Sequence, residues 1–207
     1  MTEQEKRIIK MNQEMQKTSL KEKYEKELVQ EEINEKVKSG EVVFWDTALL
    51  MKEKLFGEHH MMMIPEGFRK LQLEFIKRKY PNENRPQLVY TDATTRINIA
   101  FSKTDHEASL SGFKTFFYNV LNTVRKAQPN VQMLTDVIKK VNQINLGYFD
   151  FVTPSFDGDV YNLMVIFLHK ERVNFLTINC PSELSHVWQP LSYGMVETLQ
   201  LNQGGRK

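Results

Sequence analysis

The sequence predicts an α+β fold, an antiparallel sheet flanked by helices, preceded by a long charged helix. Three observations predict it. Residues 1–38 contain no Gly or Pro and carry nine acidic and nine basic residues, a strong helix-forming composition. Between Pro129 and Pro181, four apolar runs alternate with short polar turns, as consecutive strands do. Apolar residues recur at helical spacing before that run, from Phe113 to Val124, and after it, from Leu184 to Leu199.

The elements follow in order. In residues 1–38, pairs such as Glu22–Lys26 and Glu32–Lys36 support a solvated helix. Ile8, Met11 and Met15 share one helical face, and Val29, Ile33 and Val37 return to about the same face. Between them the seam breaks, and Ser19 followed by Glu22 suits a capping box that restarts the helix. Ser39 and Gly40 suit its C-cap. Residues 39–58 read as a connector packing on the domain: Val42 to Trp45 suit the start of a strand, whereas Ala48 to Phe56 look helical.

From residue 59 the pattern changes. His59 to Ile64 reads as a strand, closed by a turn at Pro65–Gly67. Phe68 to Arg78 reads as a helix stopped by Pro81. Gln87–Tyr90 and Arg96–Phe101 read as a hairpin around Asp92–Thr95, with Ile97, Ile99 and Phe101 on one face. Leu110–Ala127 is a helix with Phe113, Phe116, Phe117, Val120, Leu121 and Val124 along its buried stripe. The four strands then run Met133–Val141, Asn145–Phe151, Asp159–Leu168 and Asn174–Cys180. A last helix starts after Pro181 with Ser182 as N-cap. Residues 59–201 are thus expected to fold as a domain, with 202–207 a frayed tail.

Composition excludes several functions. Of the 207 residues, 41% are apolar and 26% charged, and no apolar run approaches the ~20 residues that span a bilayer. Net charge is +2 with both signs interleaved, which supplies no field for nucleic acid. The single cysteine, Cys180, excludes an internal disulfide. With no apolar leader at the start of this sequence, the expected compartment is the cytoplasm.

The residues that carry chemistry read better as structure. Cys180, between Asn179 and Pro181 at a strand end, suits a buried thiol. His59–His60–Met61–Met62–Met63 alternates sides on a strand, so those five cannot converge on one metal ion. His106 and His169 fall in turns without partners at ligand spacing. Asp157–Gly158–Asp159 is part of a calcium-loop pattern without the rest of it, and reads as a β-turn. Lys77, Arg78, Lys79 and Arg85 suit a solvated helix end beside its negative dipole. No nucleotide, hydrolase or zinc motif is present, so no cofactor and no catalytic set is expected. Ten Met and thirteen Phe form a soft apolar inventory; any surplus at the surface would suit protein binding.

The Ile64–Phe68 turn, Lys79–Tyr80–Pro81 with Arg85–Pro86–Gln87, and the hairpin resemble the front half of PsbP-like domains. Gly147–Phe151, Asp157–Asp159 with Tyr161–Met164, and the Asn179–Pro181 entry to a Trp-bearing helix resemble the back half. The resemblance covers about residues 59–201. It implies a central antiparallel sheet with helices on both faces. Relatives of that fold include a photosystem subunit, a Ran-binding import factor, DcrB lipoproteins and Eag secretion chaperones, which mostly bind proteins rather than catalyse. The expected function is therefore a non-catalytic cytoplasmic adaptor or chaperone-like module that holds a partner protein through the sheet face and the N-terminal helix. The candidate contact residues are Ile8, Met11, Met15, Val29, Ile33, Val37, Phe44 and Trp45. The alternative is a structural subunit that self-associates through residues 1–38.

Overall fold

The computed structural model describes residues 29–44, 47–128 and 130–202, leaving aside the side chains of Phe44 and Thr47. In chain order come α1 (residues 29–39), β1 (Glu41–Phe44), β2 (Thr47–Phe56), β3 (His60–Pro65) and β4 (Arg69–Lys70). Then follow α2 (Leu73–Lys79), β5 (Leu88–Thr91), β6 (Asn98–Glu107), α3 (Phe113–Ala127), β7 (Gln132–Val141) and β8 (Ile144–Thr153). The chain ends with β9 (Val160–His169), β10 (Arg172–Pro181), a 3₁₀ turn at Ser182–Leu184, α4 (Ser185–Glu197) and β11 (Gln200–Leu201).

Tight turns set the topology. Asn142–Gln143 and Lys170–Glu171 have positive φ at both positions, 45° and 70°, then 51° and 62°. Two such residues match the right-handed twist of paired strands, so β7–β8 and β9–β10 close as two-residue hairpins. The result is a seven-stranded antiparallel sheet, β4-β5-β6-β10-β9-β8-β7.

Alternation gives this sheet two buried faces. Phe149, Phe151, Ile166 and Val173 point to one, under Phe113, Phe117 and Leu121 of α3. Each such buried side chain stabilises by roughly 2 kcal/mol. Gly147 makes room there: a Cβ on it would lie 2.6 Å from the Phe117 ring. Beside α3, Ile76 of α2 covers Val89 and Ala100. The opposite face carries Ile99, Phe101, Leu146, Leu163, Val165, Phe167, Leu176 and Ile178, which pack with α4 and a second sheet.

That second sheet, β1-β2-β3-β11, takes two of its strands from the segment expected as a connector. Residues 47–56 are a strand, not a helix, and pair with β3 from Met51 opposite Pro65 to Phe56 opposite His60. A boundary at residue 59 would cut this sheet between β2 and β3. The expected helix over Phe68–Arg78 also shortens to α2, because Arg69 and Lys70 pair with Thr91 and Tyr90 as β4. Ser182 makes no side-chain cap, and the last helix begins through the 3₁₀ turn instead.

The long charged helix expected over residues 1–38 lies outside the described residues up to residue 28, and α1 covers residues 29–39. They pack on α4, where a Cβ at Gly194 would lie 3.0 Å from Val37 and 3.5 Å from Ile33. Gln30 adds a hydrogen bond from Nε2 to the Pro190 carbonyl, 2.9 Å. Gly40, at φ 98°, ends the helix in the left-handed conformation that its C-cap reading requires.

Candidate functional site

Three places in this fold concentrate polar or apolar chemistry: a buried carboxylate under α4, a histidine-lined cleft, and the β1–β2 hairpin.

Asp150 on β8 is wholly buried. Its Oδ1 accepts from the Thr135 amide at 2.7 Å. Its Oδ2 accepts from Tyr161 at 3.1 Å, Gln189 at 2.7 Å and Tyr193 at 2.6 Å. Four donors from β7, β9 and α4 satisfy the carboxylate and tie those elements together. Burial, with Asp150 next, raises the hydroxyl pKa of both Tyr161 and Tyr193, so both stay protonated donors. With no free lone-pair path to solvent, this group is a structural tie. Cys180 lies in the same core, fully buried, and burial pushes its thiol up to about 12. A thiol held neutral in this way is no nucleophile at ordinary pH.

The basic cluster is also structural. Lys79 donates to the Thr95 carbonyl at 2.6 Å and to Asn98 Oδ1 at 2.8 Å. Arg85 donates to the Tyr80 and Pro81 carbonyls past the end of α2. Gly158 has φ 109° in the turn expected at Asp157–Asp159.

The cleft opens between the β2–β3 turn and the β9–β10 turn, with a volume of about 560 Å³. Sheet-on-sheet packing brings His59, His60 and His169 together there. His60 lies edge-on to Phe167 at 4.9 Å and to His169 at 4.9 Å, while His59 stacks flat on His169 at 5.3 Å. His60 is 4% exposed, and its Nε2 and that of His169 are buried without a hydrogen-bond partner. Burial first, then His169 and His59, lowers the pKa of His60 to about 4. His169 is lowered by burial, then by His59, Lys170 and Lys103. Stacked rings direct their in-plane lone pairs along parallel planes, and among the described residues no three His, Cys, Asp or Glu are arranged to hold a metal ion. Sequence reasoning missed this cluster, since more than a hundred residues separate His60 from His169.

The hairpin holds the third feature. Val42 and Leu49 pair across it and, with Met51, face the core. Val43 and Ala48 pair on the other face, where Val43 is 49% and Leu50 is 53% exposed. β1 ends the sheet, so among the described residues its outer edge has no strand partner.

Of the candidate contact residues, Ile8, Met11, Met15 and Trp45 lie outside the described residues, and Phe44 contributes only its backbone, in β1. Val29 is 57% exposed. Ile33 is half-buried against the core and Val37 is fully buried, so these two serve α4 rather than the surface.

No protein-family model matches the chain, and no curated protein matches it in sequence. Solved structures do. The solution structure of the cyanobacterial PsbP of Synechocystis aligns at a TM-score of 0.56 with 8% identity, covering 78% of this chain and 98% of that one. Weaker alignments join it. PA94 of Pseudomonas aeruginosa, a protein of unknown function, gives 0.44 at 14% identity over 72% of this chain and 94% of that one. LpqN of Mycobacterium tuberculosis, involved in cell envelope biogenesis, gives 0.43 at 11% over 76% and 93%. Identity this low speaks to architecture, and the antiparallel seven-stranded sheet with helices on both faces agrees with it: the chain has a PsbP-like fold.

Proposed function

We infer that this chain is a non-catalytic protein-binding module of the cytoplasm, an adaptor or chaperone-like protein. It holds its partner through the β1–β2 hairpin, with Val29 and the residues before it adding contacts. One observation carries the reading: Val43 and Leu50 are half exposed on one face of a hairpin whose outer edge is unpaired. An apolar strand edge left open is a template for a partner strand or an apolar segment.

The test is affinity capture from the source cells with quantitative mass spectrometry. Val43→Asp with Leu50→Asp puts two charges on the exposed face and should reduce recovery of the specific partner at least about tenfold. The variant should melt as the parent does, since neither side chain faces the core. Unchanged recovery would remove the hairpin from the binding surface.

A further inference from the structure

The histidine-lined cleft has a charge pattern that the hairpin does not use. Its lining includes Lys70, Lys103, Lys170 and Arg172 against one carboxylate, Glu58. Arg172 is already paired with Asp105 and Glu107. Among the described residues, none of the three lysines has an ion-pair partner. The lining also includes the apolar side chains of Leu88 and Phe101.

We propose that the cleft binds a small organic anion, with its apolar body on Leu88 and Phe101 and its acidic group against Lys103 and Lys170. The surplus of cations repels a metal ion and favours an anion, and a low-dielectric wall focuses that field into the cleft. The volume of about 560 Å³ suits a small molecule rather than a protein segment. An anion held by Lys103 and Lys170 beside His169 favours the protonated form of its imidazole. The groups facing His169 are His59, His60, Lys103, Lys170 and its cross-strand partner Arg172, which is tied to Asp105 and Glu107, with Glu58 3.6 Å from His59. Apart from the carboxylates, all of these disfavour its charge in the empty cleft. Binding therefore takes up a proton, and affinity rises as pH falls.

The probe is 8-anilinonaphthalene-1-sulfonate, titrated into the full chain by fluorescence, with uncharged N-phenyl-1-naphthylamine as its control. The sulfonate should bind saturably at one site, and the uncharged dye at least about tenfold more weakly. Lys103→Gln with Lys170→Gln should weaken the sulfonate about fivefold or more, at unchanged near-UV circular dichroism. Lowering the pH from about 8 to about 6 should tighten binding to the parent several-fold and much less to His169→Gln. Equal affinity for both dyes, or full sulfonate affinity in the lysine variant, overturns the proposal. So does a failure to saturate at millimolar dye. Should His169→Gln fold poorly, the lysine variant decides alone.

Discussion

At the residue scale, His60 shows how packing sets chemistry. It sits between Phe101, Phe167 and His169 because strand alternation turns it, with Met62 and Ile64, toward the larger sheet. Burial, then His169 and His59, lowers its pKa from 6.5 to about 4. The unfolded chain therefore takes up a proton in a window where the folded chain does not. Stability from this residue is fully present above about pH 6.5 and is lost as pH falls toward about 4. Between pH ~7 and pH ~5 the loss should be about 2 kcal/mol, read from urea melts as the difference between the parent and His60→Leu. Equal pH dependence in the two proteins would contradict the buried, neutral imidazole. Alternation left two sets open in the sequence, Met61 with Met63 or His60 with Met62, and the fold buries the second. The sequence did not reveal the meeting with His169, because nothing local records which turn of one sheet will face another.

At the scale of elements, the docking of α1 on α4 decides what the N-terminal segment does. Gly194 has no side chain where Val37 arrives, so two helices approach closely and Val37 is wholly buried. Val37→Asp should cost roughly 3–5 kcal/mol, because it leaves an unpaired charge in an apolar contact. Urea melts check it, and a change below ~1 kcal/mol would show that α1 does not dock. An aspartate at this position thus tests folding rather than association, which is why the apolar stripe of residues 29–37 is a poor guide to partner contacts. Elsewhere the elements were largely readable. The Phe stripe of α3, the turns at Asn142–Gln143 and Lys170–Glu171, and the four long strands all follow from local pattern. β2 did not. Its residues Ala48 to Lys54 are good helix formers by propensity. Pairing with β1 and β3 overrides that preference, and such pairing is a tertiary fact.

At the scale of the molecule, the two sheets and α1 form one cooperative core. Val37, Val42, Met51 and Phe56 pack in the same cluster as Ile99, Val165 and Leu176. A fragment beginning at His59 loses α1, β1 and β2, and with them the cover of one sheet face. It should be molten by near-UV circular dichroism, whereas a chain beginning at Val29 should melt cooperatively. A cooperative melt of the shorter fragment would return the boundary to residue 59. The same unity bears on the proposed binding edge: one face of the β1–β2 hairpin is anchored in the core, and the other carries the half-exposed Val43 and Leu50. The most direct test places a photo-cross-linking benzoylphenylalanine at Leu50 in the intact chain in cells. A second copy carries it at Phe156, a fully exposed residue of the β8–β9 loop. The binding-module account predicts a discrete cross-linked species from position 50 and none from position 156. Absence of any adduct at position 50, or the same adducts at both positions, would contradict it.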